Sequence, residues 1–274
     1  MAVSGLALAL TAACIHATWN ILLARAHETQ VASAIAIVTG VVAFAPLAAA
    51  VWRVDPAAWK YIVTSGFLEF AYWSLLAAAY QRADLSVVYP VARGVAPVLV
   101  LVVGVAFLGA GTSWGQALGV CLVGAGVVLV RGVGGRADRR GALFGLAIAA
   151  CIASYTLVDK HGIVHANAVS YLEIDLLFPA AGFGCLVLAR RGWPAVRREI
   201  RLPVVLAGIG VFGAYLLVLL ALRLASAASV AAVRETSVVL AAGLAYFVLG
   251  ERVGRVRMAG AVAVVAGVAL ISLS

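Results

Sequence analysis

Six charged side chains interrupt long apolar stretches of this sequence, where each charge needs a partner or a task. They are Glu69, Arg93, Glu173, Asp175, Arg234 and Glu235. A charge at the centre of a membrane helix costs about 2.5–3.5 kcal/mol on insertion scales, so it usually faces the protein interior. There it can bind a charged solute, carry a proton or pair with another charge.

Arg93 lies about eight residues inside its apolar stretch. Helical spacing places Tyr89, Arg93 and Pro97 on one stripe. Pro90 and Pro97 each free a backbone carbonyl one turn earlier, and such openings line cavities in membrane proteins. The pattern favours Arg93 as an anchor for an anion or carboxylate in a cavity. The alternative is that its long side chain reaches the membrane surface.

Arg234 and Glu235 are sequence neighbours, about 100° apart on a helix, and cannot face each other. We expect one of them to face the cavity and the other to pair with a different helix. Our hypothesis is that Glu235 or Glu69 pairs with Arg93, and that substrate or a proton competes for that pair. A purely structural ion pair is the alternative.

Glu69 is followed by Tyr72 and Trp73 at the spacing of one helical turn. An acid beside an aromatic surface suits a cationic or aromatic solute. Because a carboxyl group in a low-dielectric site can take up and release a proton, Glu69 and Glu235 are the candidate proton carriers. The alternative is a protonated Glu69 bonded to a backbone carbonyl.

His16 and Asn20 share one face of the first apolar stretch, with Trp19 beside them. We expect this face to look inward, toward the cavity or a partner helix. Tyr155 and Tyr215 are candidates to add hydroxyl groups to the same cavity. An ordinary interhelical hydrogen bond is the alternative for the His16 face.

Other polar residues are expected to lie outside the site. Glu173 and Asp175 begin their stretch and are interpreted as interfacial. Asp159, His161 and His165 resemble metal ligands, but they are expected in a short loop that offers no fourth ligand. We therefore predict no metal, no cofactor and no catalytic residues.

The composition predicts an integral membrane protein. Hydrophobic residues make up 65% of the 274-residue chain and charged residues 11%, against about 25% charged residues in a soluble domain. The net charge of +9 comes from Arg residues between apolar stretches, where they contact anionic lipid headgroups. Nucleic acid is excluded as a partner, because no basic face with interleaved aromatic residues occurs.

Ten apolar stretches are long enough to be membrane helices. They span 3–24, 31–52, 60–80, 85–108, 113–131, 141–159, 168–189, 203–222, 226–249 and 254–273. No Lys or Arg precedes Arg25, so we expect the first stretch to be retained rather than cleaved as a signal. Small residues at four-residue spacing, Gly115-xxx-Gly119 and Ala259-xxx-Ala263-xxx-Gly267, make the fifth and tenth stretches packing helices.

The two halves of the chain repeat each other. The letters AACI occur at 12–15 and at 149–152, and Leu6 pairs with Leu143 at the same offset of 137. At offset 141, Arg93 pairs with Arg234, and further matches are Leu99/Leu240, Leu108-Gly109/Leu249-Gly250, Gly119/Gly260 and Gly126/Gly267. We predict five-helix repeats at 1–131 and 141–274, joined by an Arg- and Gly-rich linker at 132–140. Because five is odd, the second repeat is inverted, as in alternating-access transporters.

Three segments give the chain a resemblance to a known family. They are HATWN at 16–20, DLSVVYPVARGVAPVLV at 84–100, and FVLGER at 247–252 before a Gly-rich last stretch. Together they resemble the drug/metabolite transporter superfamily, in particular its EamA-like ten-helix members, over essentially the whole chain. The Leu-Gly-Glu ending of that family is present in the second repeat at Leu249-Gly250-Glu251. The first repeat departs from it, since it reads Leu108-Gly109-Ala110. The resemblance implies a solute carrier with a central cavity lined by helices 1, 3, 4, 6, 8 and 9.

These observations predict a multi-pass secondary transporter of small organic metabolites in the plasma (inner) membrane. We expect an exporter that uses alternating access and is coupled to H⁺ or exchange, since no GxxxxGK[ST] phosphate loop is present. A non-transporting scaffold or accessory subunit is the alternative, followed by a membrane enzyme on lipid-linked substrates. A homodimer is left open.

The orientation in the membrane has two conflicting predictions. The Arg-rich segments at 131–140, 190–201 and 252–257 fall on one side, which the positive-inside rule makes cytoplasmic. Both termini then lie outside. The family resemblance implies both termini in the cytoplasm.

Overall fold

The chain folds into a bundle of helices. The computed structural model describes residues 1–83, 85–131, 139–240, 243 and 254–274. Within them the helices are α1 (Val3–Ala24), α2 (Thr29–Ala50), α3 (Trp59–Arg82), α4 (Leu85–Leu108), α5 (Trp114–Arg131), α6 (Arg139–Gly162), α7 (Ala168–Glu199), α8 (Leu202–Leu224), α9 (Ala227–Arg234) and α10 (Arg255–Leu273). Short 3-10 turns at Pro56–Ala58 and Ile163–His165 precede α3 and α7.

The surface of the bundle is apolar. Eight helices in the described part of the chain are long and apolar enough to cross a membrane, and the apolar helix Trp114–Val130 is shorter. Large side chains such as Phe107 and Trp114 are 80% and 92% exposed. Apolar surface of this extent belongs in lipid. The predicted all-helical membrane fold is therefore confirmed.

Two predicted boundaries need correction. The sequence predicts a loop at 190–201, but α7 continues to Glu199 after a break at Gly192, whose φ of +74° suits glycine. The linker expected at 132–140 is shorter, because Arg139 and Arg140 begin α6, and 132–138 lie outside the described residues.

The ninth predicted helix, 226–249, is described only in part. Helix α9 ends at Arg234, and helical backbone resumes at 236–240. Most of the remaining stretch lies outside the described residues, as do the whole of FVLGER, with its Leu249-Gly250, and Asp84 at the head of the second family segment.

Helices α5 and α10 pack closely through glycine, as their small residues predict. A Cβ at Gly119 would lie 2.7 Å from the Gly267 carbonyl oxygen, and one at Gly126 would lie 2.7 Å from that of Gly260. The contact face of α10 differs from the predicted one, since Ala259 is exposed and Gly260 is buried. The contacts step by three and four residues through Gly260, Val264, Gly267 and Ile271, all of which are buried.

The other helices pack in pairs around the centre. Helix α1 lies against α8, α3 against α6 and α7, α2 against α7 and α8, and α4 against α5 and α6. Loops tie the two ends of the bundle. At one end, the Asn167 N–H donates to the Arg53 carbonyl at 2.7 Å. At the other, Arg191 on α7 lies 3.6 Å from Glu28 before α2. The polar residues of the interior lie between these ends.

Candidate functional site

A cavity of about 60 Å³ lies at the centre of the bundle. It is lined by Ala12, His16, Trp19, Glu69, Tyr72, Trp73, Arg93, Tyr155, Leu176, Val211, Ala214, Tyr215, Val218 and Arg234. These come from the six helices that the resemblance implies, with Leu176 of α7 in addition. Because a single water needs about 10–15 Å³ by this measure, the cavity has room for a few waters. An organic solute requires the helices to separate.

Arg93 forms a buried ion pair across the cavity wall. Its Nη1 lies 3.2 Å from Glu235 Oε1, and the two side chains are 7% and 1% exposed. The other guanidinium nitrogen, Nη2, contacts His16 Nε2 on α1. Of the two partners that we predicted for Arg93, Glu235 and Glu69, the structure pairs it with Glu235, and this pair joins α4 to the end of α9.

The C-terminal end of helix α9 positions Glu235. Helix α9 begins at Ser226, whose hydroxyl accepts the Ser229 N–H at 3.2 Å as an N-cap. It ends where the Glu235 N–H turns back to the Ala232 carbonyl and the Thr236 hydroxyl donates to the Val233 carbonyl. This break turns Glu235 toward Arg93 and leaves Arg234 on the cavity wall.

Arg234 adds a second positive charge to the same region. It is 5% exposed, its Nε lies 4.0 Å from Glu235 Oε1, and its guanidinium group lies beside the Tyr155 hydroxyl. A distance of 4.0 Å is too long for a hydrogen bond. Both guanidinium groups line the cavity, where an anionic group of a solute can bind them.

Aromatic rings line the rest of the cavity. The Tyr72 ring centre lies 5.2 Å from that of Trp73 and 6.2 Å from that of Tyr155, which lies 5.9 Å from that of Tyr215. Glu69 lies among them and is 6% exposed. The cavity thus combines a basic end, an acid and aromatic faces, which can hold an organic solute by charge and by ring contacts.

Comparison with known proteins identifies the chain. The sequence model of the EamA-like transporter family matches residues 3–132 and 139–273. This family belongs to the drug/metabolite transporter superfamily. The chain belongs to the EamA-like transporter family. No curated protein sequence matches it. One solved structure, described as a crystal structure of a protein, is similar to this chain with a TM-score of 0.80 and 18% sequence identity. The match covers 100% of this chain and 98% of the solved chain. That likeness supports the fold alone.

Three predicted site residues of this EamA-like transporter do not line the central cavity. The Asn20 amide donates to the His16 carbonyl at 2.8 Å, one turn back on its own helix. Tyr89 lines a separate small pocket with Tyr72 and Arg93. Glu235 lies behind the wall, on Arg93.

Three acids lie in other environments than predicted. The interfacial interpretation predicts exposed side chains, but Asp175 is 0% exposed and Glu173 is 8% exposed. Both lie in the second turn of α7, and Asp175 lies beside Ser65 and Glu69 of α3. Asp159 is not in a loop, since it is fully buried within α6.

Apolar lining residues are also absent from the prediction. Leu176, Val211, Ala214 and Val218 carry no chemistry that separates them from the rest of an apolar stretch. Only their position on α7 and α8 places them on the cavity. Among the residues that the structure describes, no three His, Cys, Asp or Glu side chains are arranged to hold a metal ion.

Proposed function

We propose that this protein is a secondary transporter of small organic metabolites that exports its substrate by alternating access, coupled to H⁺ or to exchange. Membership of a transporter family supports transport. The observation that carries the proposal is the central cavity, in which the charged residues Arg93, Arg234 and Glu69 are all buried within an apolar bundle. Charges in such a place are typical of a solute pathway.

Two inverted five-helix repeats would supply the two states of such a transporter, and several contacts support them. The repeat equates Gly119 with Gly260 and Gly126 with Gly267. If a two-fold axis relates the repeats, the contact between Gly119 and Gly267 must have a symmetry mate between Gly260 and Gly126. The structure contains both contacts. The same axis would relate the pair of helices α1 and α8 to the pair α6 and α3. In both pairs the two helices pack against each other in the structure.

The family model supports the same division. It matches residues 3–132 and 139–273, on either side of the proposed linker. We propose the plasma (inner) membrane as the location, with substrate in the central cavity and anionic lipid at the Arg-rich helix ends.

A transport assay tests the proposed function. Purified protein in liposomes is given a panel of metabolites and toxins, with and without a pH gradient. We expect saturable uptake or exchange of at least one solute that carries an anionic group, because the guanidinium groups of Arg93 and Arg234 line the cavity. Empty liposomes are the control. No transport of any solute would favour the scaffold instead.

The arrangement of basic residues favours outside termini. The helix ends that carry Arg25, Arg82, Arg139 and Arg198 lie at one end of the bundle. At the opposite end, Lys160 donates to the Ala225 carbonyl at 2.9 Å and Arg223 donates to the Ile163 carbonyl at 2.8 Å, so these two cations bind protein groups. By the positive-inside rule, the Arg-rich end is cytoplasmic.

We therefore expect a reporter that is active only outside the cytoplasm to function when fused after Ser274. A fluorescent reporter that folds only in the cytoplasm, fused at the same residue, is the matched control and is expected to stay dark. The reverse pair of signals would establish the orientation that the family resemblance implies.

A further inference from the structure

Two buried acids beside the cavity are not used by the proposed solute site. Asp159 on α6 and Asp175 on α7 are both 0% exposed. They lie close enough to interact with each other and with Glu69 on α3. Three acids at one place in a membrane bundle are costly, because like charges repel strongly where water is absent.

Asp159 is held by two phenol groups. The Tyr171 hydroxyl donates to Asp159 Oδ1 at 2.9 Å, and the Tyr215 hydroxyl donates to Asp159 Oδ2. Hydrogen bonds to a charged acceptor are stronger than neutral ones. This environment suits an ionised carboxylate.

Asp175 has the opposite environment. Neither of its carboxyl oxygens has a hydrogen-bond partner among the described residues. Ser65 on α3 is also 0% exposed, and its hydroxyl lies beside both acids without forming a hydrogen bond of good geometry. An ionised carboxylate without donors in such a place costs several kcal/mol, and a bound proton removes that charge.

The groups that act on the pair are mostly acids, hydroxyls and phenols. Ser65 and Glu69 face the pair from α3, Tyr171 from α7, and Tyr215 from α8. Arg234 of α9 acts on Asp159 and Glu69. The charged groups that act on Asp175 are Glu69 and Asp159, both of them acids. The pair can therefore balance its charge by holding a proton.

We propose that Asp159 and Asp175 form the proton-coupling site of this protein, with the proton on Asp175 and the negative charge on Asp159. This inference rests on the proposed transport function and names its coupling residues. In each cycle a hydronium ion gives a proton to a carboxyl oxygen of Asp175, so one O–H bond of hydronium breaks, one O–H bond forms on Asp175 and a water molecule is left. The transfer is reversed on the other side, where the O–H bond of Asp175 breaks and a water molecule accepts the proton as hydronium.

Tyr215 connects the pair to the solute cavity. Its ring lines the cavity, and its hydroxyl donates to Asp159. A solute that draws this hydroxyl away removes one of the two donors that stabilise the Asp159 carboxylate. Binding of solute therefore changes how tightly the pair holds its proton, and by reciprocity the proton changes the affinity for solute.

Infrared spectra of the protein in liposomes test the charge states without any solute. We expect the carbonyl band of a protonated acid near neutral pH in the wild type, and its loss in Asp175→Asn. The matched control is Asp55→Asn, since Asp55 is an exposed acid in the loop before α3. A spectrum of Asp175→Asn identical to that of the wild type would overturn the proposal.

Transport gives the second test, with the solute that the panel identifies. We expect the wild-type KM to change at least about fivefold between acidic and alkaline buffers, a typical coupling, and Asp175→Asn and Asp159→Asn to lose this change while still exchanging solute. Asn keeps the shape of Asp, and gel filtration checks the fold.

The arms of this test separate the two proposals. If Glu69→Gln loses the pH dependence and Asp175→Asn keeps it, Glu69 carries the proton and the acid pair does not. If the wild type exchanges no solute, the proposed transport function fails, and the infrared band still decides whether Asp175 holds a proton.

Discussion

Replacing Arg93 with Ala is expected to abolish transport and to destabilise the folded protein by about 3–5 kcal/mol, the usual cost of removing one partner from a buried ion pair. The reason is Glu235, which is 1% exposed and would lose its charge partner at 3.2 Å. Arg234, at 4.0 Å, is too distant to replace the lost hydrogen bond. Thermal unfolding in detergent and transport at equal expression measure the two effects.

A double variant separates the role of Arg93 in stability from its role in transport. Arg93→Ala with Glu235→Ala removes both charges, so we expect most of the lost stability to return and transport to stay absent. Arg139→Ala, at an exposed residue in the first turn of α6, is the matched control and is expected to behave as the wild type. If the double variant regains both stability and transport, the ion pair is purely structural and Arg93 is no anchor.

The centre of the site can be predicted from the sequence, because a charged side chain inside an apolar helix is stable only in the protein interior or in a cavity. Arg93, Glu69 and Arg234 interrupt apolar stretches, and lipid is a poor environment for all three. The helical period then groups Tyr72 and Trp73 with Glu69, and His16 with Trp19. The order of residues along the chain therefore indicates most of the polar cavity wall.

The acid pair cannot be predicted in the same way, because its depth depends on neighbouring elements. Asp159 stands at the end of an apolar stretch and Asp175 near the start of the next. In a single helix such positions reach water. Here Asp55 N–H donates to the His165 carbonyl at 2.9 Å, which ties the loop before α3 to the turn before α7. This long-range contact has no local signal in the sequence.

The two halves of the chain give the cavity different chemistry. The repeat equates His16 with Ala153 and Thr18 with Tyr155 at offset 137. In the structure His16 contacts Arg93, whereas Tyr155 lies beside Arg234. Each arginine therefore has a different neighbour from the helix that begins its proposed repeat, although the alignment of the two halves pairs the arginines with each other. We expect this difference to decide which groups of a solute each side of the cavity accepts.

Replacing Gly126 with Ala is expected to reduce stability severely while leaving transport per folded molecule unchanged. The added Cβ would lie 2.7 Å from the Gly260 carbonyl oxygen and 2.8 Å from Val264 Cγ2. Backbone cannot give way as a flexible side chain does, and overpacking of this kind costs about 1–3 kcal/mol or more. The yield of folded protein and its unfolding temperature measure the loss.

The matched control for Gly126 is Gly213→Ala in α8, where an added Cβ would have no described atom within 4 Å. It is expected to keep or slightly raise stability, because Ala favours a helix over Gly. Gly260→Ala should resemble Gly126→Ala, since the same two backbones approach each other there. The two substitutions should also be non-additive, because they separate the same contact. If Gly126→Ala keeps both normal stability and normal transport, α5 and α10 do not pack as described. If the variant folds but no longer transports, the contact between α5 and α10 takes part in the transport cycle.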